Sequence, residues 1–260
     1  MVKRFAFFAY GCFAYLTFLG TFLYAIGFVS GFLVPTRLDG PLQEGLGVSL
    51  LIDAGLLTLF AVQHSVMARR QFKAWWMQFV PEPIERSTYV LFASVALLFL
   101  FAQWRPLGGL VWSIDSAPGK TVLWTMAASG WGLVLFATVL INHFDLFGVR
   151  QVWLAFTGRP YTKLPFGTPA LYRVVRHPLY LGFILAFWST PTMTLAHLVF
   201  AFTTTVYILV AIQLEESDLV AEHGLSYETY RRRVPMLIPR APRPITHPAG
   251  IAPRSIVRKG

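Results

Sequence analysis

Residues 178–213 read PLYLGFILAFWSTPTMTLAHLVFAFTTTVYILVAIQ. The run holds no charged side chain, and it is too long for one membrane crossing, which takes about 20 apolar residues. Ser189-Thr190-Pro191-Thr192 interrupts it. Proline removes an i→i−4 hydrogen bond and crowds the preceding turn, so a continuous helix cannot pass through Pro191. The expectation is two helices, 178–190 and 192–213, folded back as a hairpin. At about 1.5 Å per residue the first helix is roughly 20 Å long, so the hairpin need not cross the bilayer fully.

Four more apolar stretches lie upstream, at 5–34, 46–67, 88–103 and 121–141. The 260-residue chain is 55% hydrophobic and only 13% charged, with a mean hydropathy of +0.57. A soluble domain carries about 25% charged residues. A soluble globule and a disordered chain are both excluded. The fold class expected is an all-α integral membrane protein. It has four transmembrane helices plus the hairpin, five to six membrane helices in all, and a cytoplasmic C-terminal helical segment. Residues 1–240 read as one domain: an N-terminal helical bundle over 1–141, then 142–240, where most motif-like polar residues gather. The tail 241–260 holds four prolines and no apolar periodicity. It is expected to be disordered.

The single cysteine, Cys12, excludes an internal disulfide framework and a multi-thiolate zinc site, and no metal is expected. The net charge is +10. With the N-terminus inside, all of the 22 Lys and Arg except Arg37, Arg105 and Lys120 fall on the inner side. The positive-inside rule then puts both termini in the cytoplasm. The partner of this charge is the anionic lipid surface rather than nucleic acid. Lys3 and Arg4 precede an apolar run as in a signal peptide, but Phe5 to Val34 is far longer than a signal core and reads as a retained span. Within it Gly20, Gly27 and Gly31 share one face. Gly27-x-x-x-Gly31 permits close backbone approach, read as packing inside a monomer with a homodimer seam as the alternative.

Two polar clusters flank the hairpin. Arg173-Val-Val-Arg176-His177-Pro178-Leu179-Tyr180-Leu181-Gly182 precedes it. Pro178 suits the first helical position, with His177 as cap. The free N–H groups at that start favour an anion, and Arg176 adds charge. Tyr180 and Gly182 face a region open to a ligand. The alternative is a plain basic anchor at the membrane edge. Glu215-Glu216-Ser217-Asp218 follows the hairpin. Paired carboxylates there suit a cationic ligand or an ion pair with the basic segment, or else a solvated helix exit. Gly224 reads as a helix C-cap, and Ser226 as the cap of a short amphipathic helix lying on the membrane as a lid, before Val234-Pro235.

Taken together, Arg-His-Pro-x-Tyr-x-Gly, the hairpin, Glu-Glu, Gly-x-x-Tyr-x-x-Tyr and Val-Pro resemble the isoprenylcysteine carboxyl methyltransferase and phospholipid methyltransferase superfamily. These are integral-membrane enzymes, and the pattern covers about 164–239. The resemblance implies S-adenosyl-L-methionine as methyl donor. By position its binding residues would be Leu164, Pro165, Phe166, Gly167, Tyr172, His177, Pro178, Leu179, Tyr180 and Glu215, with Glu216. A helix start with Arg176 suits the donor carboxylate. A glutamate suits its ammonium or ribose diol, and aromatic faces suit adenine and the sulfonium.

In the carboxyl methyltransferases an arginine about a turn before the Glu pair meets the substrate carboxylate. Residues 207–214, YILVAIQL, hold no arginine, which argues against prenylcysteine. Gln63-His64-Ser65, with Arg69 and Arg70, and the segment Asn142-His143-Phe144-Asp145 through Trp153 resemble the bacterial methanethiol S-methyltransferases, a branch of this superfamily in the bacterial inner membrane. The acceptor implied is a small thiol, converted from methanethiol to dimethyl sulfide. Since the thiolate is the nucleophile, His64, His143 and Asp145 are the candidates to take its proton. His143 and Asp145 cannot pair on one helix, because i and i+2 face apart. Phe144, Phe147, Trp153 and Trp188 are candidates for an apolar acceptor pocket. Asp53, within the second span, reads equally as functional or as a structural bond.

Other functions stay open at this point. His64-Ser65 also resembles haem-dependent membrane isomerases of the NnrU type, in which His64 and His143 would ligate iron. A membrane methyltransferase with a lipid amine as acceptor is a further reading, and a non-enzymatic scaffold is another.

Overall fold

The computed structural model describes residues 1–240; the tail expected at 241–260 lies outside them. Its helices are α1 (Val2–Ser30), α2 (Leu46–Ala68), α3 (Arg70–Trp76), α4 (Glu82–Gln103), α5 (Ala117–Leu140), α6 (His143–Leu146), α7 (Val149–Phe156), α8 (Pro178–Trp188), α9 (Leu195–His223) and α10 (Leu225–Arg233). Among the described residues α1, α2, α4, α5 and α9 are long and apolar enough to cross a membrane, while α8 is a shorter apolar helix. The chain is an all-α integral membrane protein.

The hairpin forms as expected, with Pro178 at the start of α8 and His177 as its cap residue, although the His177 side chain makes no capping bond. At 11 residues α8 is about 16 Å long and does not traverse a bilayer. The turn over 189–194 is more ordered than a proline break requires. Strand β2 (Thr192–Thr194) pairs antiparallel with strand β1 (Leu110–Ser113), a ladder the apolar pattern does not announce. α9 continues past 213 to His223, so Glu215 and Glu216 lie within a helix rather than beyond one. Gly224, at φ 55°, ends α9 and also starts α10. Ser226 therefore sits inside α10 and does not cap it, because no linker separates the two helices.

α8 lies against α5 at a glycine crossing. A Cβ on Gly130 would fall 2.7 Å from the Gly182 carbonyl oxygen, and one on Gly182 would fall 2.7 Å from that of Gly130. Gly182 thus serves helix packing and does not face a ligand. Of the α1 glycines only Gly27 makes the expected close backbone approach, and it does so within the monomer. Nothing lies near Gly20, Gly27 packs on Phe32 and Val34 of its own chain exit, and Gly31 is the left-handed C-cap at φ 77°. The residue of α1 that does admit a neighbour is Gly11, which receives Val152 of α7.

The core joins α1, α2, α4, α5, α8 and α9 through Phe22, Phe28, Leu57, Phe101, Trp131, Phe187 and Phe200. At the end of the bundle away from the N-terminus, polar groups latch the loops. Buried Asp53 accepts the Arg105 backbone N–H at 2.9 Å through Oδ1, a structural bond to the chain after α4, while its Oδ2 has no hydrogen-bond partner among the described residues. Asp39 bonds the Thr194 hydroxyl and meets His197 Nδ1 at 3.1 Å, while His197 Nε2 reaches the Phe187 carbonyl at 2.9 Å.

Candidate functional site

The basic segment before α8 is held by the C-terminal chain. The Arg176 and His177 backbone N–H groups donate to the carbonyls of Pro235 and Met236 at 2.9 and 3.2 Å. Proline at 235 has no N–H but still offers its carbonyl, which gives the Val-Pro element a structural task. Arg176 then reaches α9. Its Nε donates to Glu216 Oε1 at 2.7 Å, and its Nη1 donates to the carbonyls of Arg231 and Val234. His177 Nε2 lies 3.0 Å from the same carboxylate oxygen. Glu216 is 5% exposed, so it is a buried brace between the Arg176 guanidinium and the His177 ring.

Glu215, one residue earlier, points elsewhere. It lines a cavity of about 1690 Å³, larger than the roughly 300–1,000 Å³ of a single small-molecule pocket. Its Oε2 is buried and has no hydrogen-bond partner among the described residues. The Tyr227 hydroxyl, on the same cavity, is buried and equally without a partner. An unmatched buried polar atom is costly in a folded protein, and a ligand with donor and acceptor groups would satisfy both.

Leu164, Pro165, Phe166, Gly167, Tyr172, Leu179 and Tyr180 line this cavity, with Arg176 and His177 on its wall. Pro178 is buried behind them and does not line it. Phe166 sits in an aromatic group, 5.0 Å from His223, 5.8 Å from Tyr227 and 5.7 Å from Tyr230 between ring centres. Tyr230 donates to the Tyr172 carbonyl at 2.6 Å. Burial pushes the Tyr172 and Tyr227 phenols up and that of Tyr230 to about 12, so all three stay neutral hydroxyls at pH 7.

His64 of α2 lines the same cavity. Its ring stacks on Phe60 at 5.3 Å. The Tyr89 hydroxyl of α4 lies 2.9 Å from Nε2 and 3.1 Å from Nδ1, and one hydroxyl serves one nitrogen at a time. Beside it the Ser65 hydroxyl meets Tyr207 at 3.1 Å. The lining also holds the apolar side chains of Phe22, Leu57, Trp131, Phe183 and Phe187, with the hydroxyls of Thr21, Ser94 and Thr204 among them.

The structure does not bring His143 and Asp145 to this place. Neither lines the cavity. His143 is held by Tyr15 at 2.9 Å and Thr138 at 2.8 Å, so both ring nitrogens are engaged. Burial lowers its pKa. Asp145 pairs with Arg150 at 2.8 Å and receives the Tyr161 hydroxyl. These residues fasten the 142–162 segment to the bundle. Of the four apolar candidates only Phe147 lines the cavity; Phe144 and Trp153 lie elsewhere, and Trp188 donates to Thr205 at 2.9 Å. His64 and His143 therefore share no site that could take one iron between them.

Sequence reading missed Tyr89, Arg86, Tyr207 and the salt-bridged rim. Arg69 pairs with Asp218 at 2.9 Å, and Arg70 and Lys163 both pair with Glu222 at 3.0 Å. The signal available was position: these residues cluster at the same membrane end as the Glu pair.

No family model matches the chain, and no solved structure matches it. Among curated relatives, a methanethiol S-methyltransferase of Crocosphaera subtropica is 60% identical over 230 residues, covering 88% of this chain and 90% of the relative. The methanethiol S-methyltransferase of Mycobacterium tuberculosis is 52% identical over 92% of this chain and 98% of its own length. Methanethiol S-methyltransferase 1 of Bradyrhizobium diazoefficiens is 52% identical over 92% and 84%. With this identity across nearly the whole described chain, the protein belongs to the methanethiol S-methyltransferase family.

Proposed function

We propose that the protein transfers the methyl group of S-adenosyl-L-methionine to a small thiol, converting methanethiol to dimethyl sulfide. The observation that carries this reading is that Glu215, the Phe166–Tyr227–Tyr230 aromatics, His64 and Tyr89 all line one cavity. When bound, the donor supplies an electrophilic sulfonium methyl. The chain's own residues position and deprotonate. Glu215 Oε2 accepts from the donor's ammonium or ribose diol, and the Tyr227 hydroxyl takes a second polar group. Aromatic faces hold adenine and the sulfonium. Arg176 is committed to Glu216 and two carbonyls, so the donor carboxylate falls to Arg173 and the backbone of residues 164–168.

His64 is the base of choice, because it alone of the three candidates faces the cavity. Tyr89 fixes its ring. The thiol proton passes to His64, the sulfur lone pair forms the new S–C bond, and the sulfonium C–S pair returns to the donor sulfur. Most of the acceleration comes from alignment. The apolar interior admits a small apolar acceptor and excludes water. We place the enzyme in the bacterial inner membrane with both termini cytoplasmic and bilayer lipid around its spans, from the Lys and Arg distribution.

The test is calorimetric titration of the purified protein with S-adenosylhomocysteine, together with headspace gas chromatography after adding donor and methanethiol. Donor-dependent and thiol-dependent dimethyl sulfide supports the reading. Donor binding without product from methanethiol moves the acceptor to a lipid or larger thiol.

A further inference from the structure

Arg86 is the cation on the cavity wall that the proposed chemistry does not use. The others near it are paired: Lys73 with Glu85 at 2.8 Å, Arg69 with Asp218 at 2.9 Å, and, behind the wall, Arg150 with Asp145 at 2.8 Å. Arg86 has no carboxylate within ion-pair distance among the described residues. Its Nε donates to the Leu146 carbonyl at 2.7 Å, which fixes the plane of the guanidinium. Its two Nη groups have no partner among the described residues. The guanidinium carbon lies 5.0 Å from the Tyr89 ring centre, and Tyr89 in turn bonds His64. A permanently charged fork thus stands beside the Tyr89 ring, on a cavity that His64 also lines.

We infer that Arg86, with Tyr89 and His64, forms a subsite for a small soft monoanion, and that the thiol acceptor is held there as its thiolate. This rests on the thiol reading of the function. A thiol in an apolar cavity resists ionisation, because burial disfavours the charged form. An opposite charge a few ångströms away restores it. Arginine suits the task because it does not lose its proton. The thiol S–H breaks with its proton passing to His64, and the guanidinium balances the sulfur charge until the S–C bond forms. The other titratable or charged groups that face this place are Arg69, Tyr180, Tyr207 and Glu215 on the cavity lining and Tyr161 on the α7 side.

Thiocyanate serves as the unreactive probe. The wild-type protein in the presence of S-adenosylhomocysteine should bind it, and Arg86→Met should lose at least tenfold in thiocyanate affinity while S-adenosylhomocysteine affinity stays within twofold. In methyl transfer, Arg86→Met should move the rising limb of the pH–rate profile up by about one unit and regain rate at high pH; Arg86→Lys should recover part of the shift. Equal loss at every pH, with unchanged thiocyanate binding, would make Arg86 a structural residue and overturn the inference. A matching loss of S-adenosylhomocysteine affinity would also overturn it, by assigning Arg86 to the donor carboxylate. Thiocyanate binding needs no turnover. A protein that binds it through Arg86 yet makes no dimethyl sulfide leaves the anion subsite standing and fails the thiol reading instead.

Discussion

Arg176 and Glu216 form a salt bridge of 2.7 Å with side-chain exposures of 10% and 6%, and this bridge ties the start of α8 to α9. Removing one member of a buried pair leaves an uncompensated charge, costing about 3–5 kcal/mol. Glu216→Ala should therefore lower the melting temperature sharply, with donor affinity lost as a consequence of misfolding. A variant that melts with wild type would refute the brace.

Glu215 should behave in the opposite way. Glu215→Gln keeps the shape and removes the charge; the Glu215 Oε2 makes no hydrogen bond among the described residues, and His177 Nδ1 stands 3.8 Å away. Its melting temperature should match wild type. Its S-adenosylhomocysteine affinity should fall by about 1.5–3 kcal/mol, the weight of a charge-assisted hydrogen bond. Titration calorimetry beside a thermal scan separates the two glutamates, and undiminished affinity would remove Glu215 from the donor site.

The glycine crossing makes a purely structural prediction. Gly130→Ala would drive its methyl to 2.6 Å from the Ala186 nitrogen, which the backbone of α8 can relieve only by moving. Overpacking of this kind costs about 1–3 kcal/mol. Gly20→Ala, where nothing lies within 4 Å, should be neutral. Thermal scans of the two variants in the same detergent check this, and equal stability would contradict the crossing.

His143 gives a pH signature. Burial holds its folded pKa below the ordinary value of about 6.5, because the neutral ring is the form that packs between Tyr15 and Thr138. Its contribution to stability is complete above that ordinary value and is lost as pH falls toward the lowered one. Between about pH 7.5 and 5.5 wild type should lose more melting temperature than His143→Gln. Equal losses would mean that the ring is not held in its neutral form. Single-turnover methyl transfer by the variant should stay near wild type, since the residue does not line the cavity.

The spans and the hairpin were legible because long apolar runs and one proline dictate them whatever the tertiary context. α4 was cut short in sequence. It begins at Glu82 rather than 88, since Glu82 and Glu85 suit a helix N-terminus but depress local hydropathy, and this hid Arg86. The donor segment was legible as a motif. The division of labour between Glu215 and Glu216 was not: adjacent residues on a helix face about 100° apart, and only the packing of Arg176 decides which is braced. His64 and His143 look alike as helix-end histidines; Tyr15, 128 residues away, and the nearby Thr138 set the second one aside. Gly27 and Gly31 had the spacing of a helix seam, yet spacing does not say whether a neighbour is present. Gly130 and Gly182 show that such a seam can join residues from distant segments without any local repeat.

The most direct measurement uses S-adenosylmethionine carrying a trideuterated methyl group, with unlabelled methanethiol and the purified protein in lipid nanodiscs. Mass spectrometry of the headspace should show dimethyl sulfide with one labelled and one unlabelled methyl, at a rate strongly reduced in Glu215→Gln. Absence of dimethyl sulfide, or dimethyl sulfide without the label, would contradict methyl transfer from this donor to this thiol.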